Sequence, residues 1–82
     1  MYYVYILRSF KDKKLYIGQT SNLERRIAEH NLGICKSTKS RIPFELEHFE
    51  IFNTRSEAMR REKELKSGKF RERIYRFFSG SI

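Results

Sequence analysis

The chain has 82 residues, a formal net charge of +8, a pI of about 9.9, one cysteine and no tryptophan. A chain this short makes one domain that buries only ~60% of its unfolded surface, here expected over residues 1–78 with a short tail at 79–82. No apolar run approaches the ~20 residues of a membrane span, no basic region and cleavage site mark a signal peptide, and lone Cys35 excludes an intrachain disulfide and a zinc cluster. The expected setting is therefore a reducing cytoplasm.

Residues 1–41 carry nine Lys/Arg against three Asp/Glu, and residues 42–82 nine against seven, so the excess positive charge sits in the first half. Such a balance suits a polyanionic partner, nucleic acid or an acidic membrane surface.

The run Tyr2–Arg8 is rich in aromatic and β-branched residues and reads as a strand. Period two puts Val4 and Ile6 on one face and Tyr3, Tyr5 and Leu7 on the other. A polar connection, Phe10 to Lys14, is short enough for a hairpin into Leu15-Tyr16-Ile17. Leu15 and Ile17 then join Val4 and Ile6, and Tyr16 falls on the face of Tyr5. Gly18 is expected to let the backbone turn directly into a helix. Ser21 with Glu24 three residues on forms a capping box for that helix, from about Asn22 to Asn31 or Leu32, with Gly33 as its stop. Leu23 and Ile27 share its inward face, and Arg26 and His30 stack one turn apart on a neighbouring face.

Residues 34–41 then combine hydroxyls with Lys36, Lys39 and Arg41. These groups are phosphate-backbone contacts in many complexes, and equally the make-up of a solvated loop. After Pro43, the third strand runs from Phe44 to Phe52, with Phe49 and Ile51 on one face and Leu46 and Phe52 on the other. His48 reads as a surface partner of Glu47. Thr54 and Glu57 make a second capping box for a helix from Arg55 to about Lys66. Ala58, Glu62 and Leu65 form one stripe on it, so a carboxylate sits on the inward side. That is costly unless Glu62 pairs with an arginine such as Arg26 or holds a cation. Beyond Gly68, Phe70, Ile74, Phe77 and Phe78 form the apolar face of a third, short helix that would close the second side of the sheet. The order strand, strand, helix, strand, helix, helix predicts an α+β domain with a three-stranded antiparallel sheet flanked by helices.

At these residues the chain resembles the GIY-YIG nuclease domains, and among them the small single-domain bacterial members. The first motif stands here as Tyr3-Val4-Tyr5, with Tyr in place of its Gly, and the second is intact as Tyr16-Ile17-Gly18. The family's essential Arg falls on Arg26, its His or Tyr on His30, and its metal-binding Glu on Glu62. Gln19 stands where DNA-repair relatives have Lys, and residues 66–82 lack the late Asn of many members.

The resemblance implies metal-dependent hydrolysis of DNA phosphodiester bonds, on duplex, single-stranded or branched DNA. In that reading Tyr16, near cations, takes a proton from the attacking water. Arg26 stabilises transition-state charge on the phosphate. Glu62 holds one Mg²⁺ or Mn²⁺. Tyr5 and His30 orient water or phosphate, and Arg25, Lys36, Lys39 and Arg41 bind the backbone of the nucleic acid. Simpler readings stand beside these: sheet packing for Tyr5, a polar surface position for His30, and a nucleic-acid-binding module without useful catalysis for the whole chain.

Overall fold

Three strands and two helices build the structure, a computed structural model that describes residues 1–68. They are β1 (Tyr2–Ser9), β2 (Leu15–Thr20), α1 (Leu23–Asn31), β3 (Phe44–Phe52) and α2 (Arg55–Lys66), with one 3-10 turn at Lys39–Arg41. The sheet is antiparallel in the order β2-β1-β3, so β1 is central and has a neighbour along both edges. This is the expected α+β arrangement up to its second helix. The third helix and the tail at 79–82 lie outside the described residues.

Strand β1 feeds two different cores because its side chains alternate. Val4 and Ile6 pack with Leu15 and Ile17 of β2 and with Ala58 and Leu65 of α2, and Tyr2 and Phe52 flank this cluster. On the other face Tyr5 and Leu7 pack with Phe44, and Tyr16, Leu23, Ile27, Ile42 and Leu46 surround them. Helices α1 and α2 thus cover opposite faces, and the period-two assignment of β1 and β2 is as expected.

Strand β3 departs from the expected pattern. Ile6 pairs with His48 but Leu7 pairs with Leu46, so Glu47 is an extra residue in β3. A bulge of this kind reverses the alternation beyond it. Leu46 therefore faces the Tyr5 side, as do Phe49 and Ile51 opposite Tyr5 and Tyr3, whereas Phe52 packs on the α2 side. Leu46 and Phe52 do not share a face. Displaced by the bulge, Glu47 sets its Oε1 2.8 Å from Nε of buried Arg8, an ion pair without a well-directed hydrogen bond. His48 pairs with Glu50 rather than Glu47, and Glu50 also receives Arg61 of α2 at 2.8 Å.

The start of α1 also differs. Strand β2 continues through Gly18 to Thr20, so Gly18 is a strand residue and not the turn. The extended residue directly ahead of the first helical turn is Asn22, and its side chain accepts from Arg25 N–H at 3.1 Å. Asn22, not Ser21, is the cap, because the strand consumes the residues through Thr20 before the chain can turn. Thr20 Oγ1 holds Asn22 in place by accepting its N–H at 3.1 Å. Gly33 follows α1 with φ +77°, a left-handed stop that few other residues tolerate. The second capping box is formed as expected: Thr54 accepts from Glu57 N–H, and the Glu57 carboxylate accepts from Thr54 N–H at 3.1 Å.

Polar side chains tie the layers together. Asn31, the last residue of α1, grips the backbone of Phe44 in both directions, accepting its N–H at 2.6 Å and donating to its carbonyl at 3.1 Å. Buried Ser9 donates to the Arg41 carbonyl at 2.5 Å and accepts from the backbone of Lys11 and Asp12. These bonds fix the end of α1 and the 34–43 loop over the Tyr5 face of the sheet.

Candidate active site

Where Tyr5 of β1 stands opposite Gly18 of β2, the sheet has no side chain on the β2 side. A Cβ on Gly18 would lie 2.5 Å from the Tyr5 hydroxyl and 3.2 Å from Tyr16 Cε1. The phenol of Tyr5 therefore lies across the glycine, a cradle that only Gly permits. Tyr16 stands two residues before Gly18 on the same face, with its ring centroid 6.3 Å from that of Tyr5.

Helix α1 lays its C-terminal half over this pair. His30 is fully buried, and its ring sits edge-on to Tyr16 at 5.0 Å, to Tyr5 at 5.8 Å and to Phe44 at 5.9 Å. An imidazole in such a place needs partners for both nitrogens. Nε2 is 3.0 Å from the Tyr5 hydroxyl, and Nδ1 is 2.8 Å from Oγ1 of buried Thr38. His30 is thus no surface residue, and the burial of Tyr5 serves packing and this polar contact together.

Arg26, one turn earlier on α1, brings its guanidinium to the Tyr5 hydroxyl and donates to Glu29 Oε1 at 3.2 Å. The contact with Tyr5 holds Arg26 firmly protonated. Burial pushes the Tyr5 phenol up to about 12, against the pull of Arg26. Tyr5 is accordingly a neutral hydroxyl at ordinary pH, fit to donate a hydrogen bond and unfit to act as a base. Burial, with Arg26 nearby, also lowers the His30 pKa, so the imidazole is held neutral. Cys35 adds its sulfur to the surroundings of Tyr5 and Arg26.

The structure therefore brings together Tyr5, Tyr16, Arg26 and His30. Glu62 stands on α2, the helix whose buried residues Ala58 and Leu65 pack against Val4 and Ile6. Among the described residues Glu62 pairs with Lys66 one turn on, not with Arg26, which pairs with Glu29. Of the basic residues, Arg25 is exposed and touches Glu29 at 3.4 Å, and Lys36 and Lys39 are exposed on the loop that carries Thr38. Arg41 is engaged within the fold. It pairs with Asp12 at 2.7 Å, donates to the Leu15 carbonyl at 3.3 Å and lies over the Phe44 ring.

A scan against family models matches the GIY-YIG catalytic domain over residues 1–76. The chain belongs to the GIY-YIG family. Its relatives include the UPF0213 protein HQ_3675A of Haloquadratum walsbyi, 51% identical over 67 residues that cover 80% of this chain and 74% of that one. The UPF0213 protein CPE1444 of Clostridium perfringens is 43% identical over 83 residues, covering 100% and 88% of the two chains. The solution NMR structure of the UPF0213 protein BH0048 from Bacillus halodurans matches with a TM-score of 0.56 and 40% identity, covering 94% of this chain and 85% of that one. The GIY-YIG chain is therefore one of the small family members found in both bacteria and archaea, and its function is of nuclease type.

Two residues of the GIY-YIG site escape a reading of the sequence. Thr38 lies in a loop of hydroxyls and cations, where nothing local distinguishes it from Ser37 or Ser40, yet it alone of the three is buried. Asn31 looks like a helix-end residue, and its grip on Phe44 depends on a strand thirteen residues away.

Proposed function

We propose that this chain is a metal-dependent endonuclease that hydrolyses phosphodiester bonds of DNA. The observation that carries the proposal is the buried Tyr5–His30 hydrogen bond beside Arg26 and Tyr16. A domain that needed only a core would fill this space with apolar groups, as the opposite face does.

The residues divide the work. Arg26, kept protonated and steered by Tyr5 and Glu29, offers its remaining N–H donors to a phosphate and to the charge that develops on it. Tyr16 takes the proton of the attacking water. Tyr5 and His30, both neutral, orient Arg26 and the water. Arg25, Lys36 and Lys39 meet the nucleic-acid backbone, and Arg41 adds charge from its place against Asp12.

Glu62 would hold the metal. No group of three or more His, Cys, Asp or Glu among the described residues is arranged to hold a cation. A single carboxylate nonetheless fits Mg²⁺ or Mn²⁺, which such sites bind through one or two carboxylates together with substrate phosphate and water. The Glu62 side chain is 21% exposed and its lysine partner 51%, so the carboxylate remains within reach of solvent. When bound, the ion supplies polarisation of the phosphate and stabilisation of the leaving oxygen.

The test is the purified protein with Mg²⁺ or Mn²⁺ against duplex, single-stranded and branched DNA, with Glu62→Ala as the control. The expected result is cleavage that needs the metal and is lost in the variant. Retention of DNA without cleavage under any metal would favour a binding module on the same scaffold.

A further inference from the structure

We infer that Thr38 is a positioning residue that selects the tautomer of His30, and through it the direction in which the Tyr5 hydroxyl points. The inference rests on the reading of this site as catalytic, and it adds a residue outside the tyrosine, arginine, histidine and glutamate set.

The geometry is a chain of contacts buried under α1. Thr38 Oγ1 is 2.8 Å from His30 Nδ1 and 3.4 Å from the Cys35 carbonyl, and His30 Nε2 is 3.0 Å from the Tyr5 hydroxyl. Thr38 and His30 are fully buried and Tyr5 is 1% exposed, so water does not complete the hydrogen bonding. Each hydroxyl has one proton to donate, and a neutral imidazole has one N–H and one lone pair. The Arg26 guanidinium beside Tyr5 can only donate, so the buried Tyr5 proton goes to His30 Nε2, the acceptor within its reach. Nδ1 then carries the ring's proton and donates to Thr38 Oγ1, whose own proton turns to the Cys35 carbonyl.

The direction of this chain matters for Arg26. With its proton turned inward to His30, Tyr5 presents only lone pairs to the guanidinium beside it, which is the side that attracts a cation. In the opposite arrangement Nε2–H would donate to Tyr5, and the Tyr5 proton would point at Arg26 or out into the cleft. Thr38 thus acts on Arg26 through two intervening side chains. The loop that carries it is held over the site by backbone bonds from Thr38 and Lys39 to the Cys35 carbonyl, at 3.1 and 2.9 Å.

The test reads the tautomer directly. The ¹⁵N chemical shifts of the His30 ring at neutral pH distinguish Nδ1–H from Nε2–H, in wild type, Thr38→Ser and Thr38→Val. Wild type is expected as Nδ1–H, and a wild-type Nε2–H ring overturns the inference. Thr38→Ser keeps the hydroxyl and is expected to keep the tautomer. Thr38→Val keeps the shape, removes the acceptor and is expected to move the ring towards Nε2–H; a folded Val variant that stays Nδ1–H also overturns it. Should Val prevent folding, the wild-type and Ser spectra still decide.

DNA cleavage by the same proteins gives the second readout. The kcat of Thr38→Val is expected to fall up to about tenfold, the rate equivalent of one ordinary hydrogen bond, with KM unchanged and with rescue in Thr38→Ser. If wild type cuts no DNA, the nuclease reading fails while the ring shifts still judge the role of Thr38.

Discussion

The two faces of one strand carry opposite kinds of core. On the α2 side Val4, Ile6, Leu15, Ile17, Ala58 and Leu65 meet without a polar atom among their side chains. On the α1 side, two hydroxyls and an imidazole are buried among Tyr16, Phe44, Leu23 and Ile27. The first face is interchangeable in principle with any aliphatic packing of equal volume. The second is specified atom by atom, because every buried polar group there needs its partner. In a domain this small, one central strand serves both ends: it anchors the fold through its even-numbered residues and sets the site through its odd-numbered ones.

The contrast is sharpest when the aliphatic side is damaged. Ile6→Ala should destabilise the domain by about 2–5 kcal/mol, the usual range for emptying a buried aliphatic site, without altering the Tyr5–His30 contact in the molecules that remain folded. Denaturant melts measure the loss, and the His30 ring shifts report the contact. A loss below the usual range would mean that α2 is not packed firmly on this face.

On the other side the smallest addition should matter. Gly18→Ala puts a methyl where the Tyr5 phenol lies, which must move. Overpacking of this kind costs about 1–3 kcal/mol, and the expected signature is a loss of cleavage out of proportion to the loss of stability. Cleavage at the wild-type rate would show that the glycine cradle is not needed.

Acidity separates the faces again. The folded pKa of His30 is lowered by burial, so below its ordinary ~6.5 the unfolded chain binds a proton that the native state resists. Stability should therefore begin to fall as the pH drops below ~6.5, ahead of the carboxylates. Asp12, held down to about 2 by Arg41, and Glu50, lowered by Arg61, contribute stability that is lost only at lower pH, as they become protonated. His30 ring signals titrating freely at ~6.5 would contradict this order.

The smallest effect is expected at Glu62. Its partner is Lys66 on the same helix, an i,i+4 pair of a kind worth ~0.3–0.5 kcal/mol. Glu62→Gln should melt within about that margin of wild type while losing metal-dependent cleavage. A large destabilisation would reveal a structural ion pair that the Lys66 contact does not account for.

Much of the site is legible in the sequence because it depends on local periods. Tyr5 and Tyr16 share a face by strict alternation in two short strands, and Arg26 and His30 come together by one helical turn. What escapes the sequence depends on partners distant along the chain. The bulge at Glu47 shifts the phase of β3 by one residue, which becomes visible only against β1. Ser21 and Asn22 are both competent caps, and the length of β2 decides between them. Thr38 has the composition of a surface loop and is buried because Ser9 and Asn31 hold the chain that follows it, at Arg41 and Phe44, down on the sheet. Gly18 looks like a turn residue until Tyr5 is seen lying across it.

Tyr16→Phe tests most directly whether the α1 face is a nuclease centre. The variant removes one hydroxyl and leaves the ring against His30 and Phe44. Measured beside wild type for thermal stability and for metal-dependent cleavage of DNA, it should melt as wild type does and cut no DNA. Cleavage at the wild-type rate by a normally folded Tyr16→Phe protein would contradict the assignment.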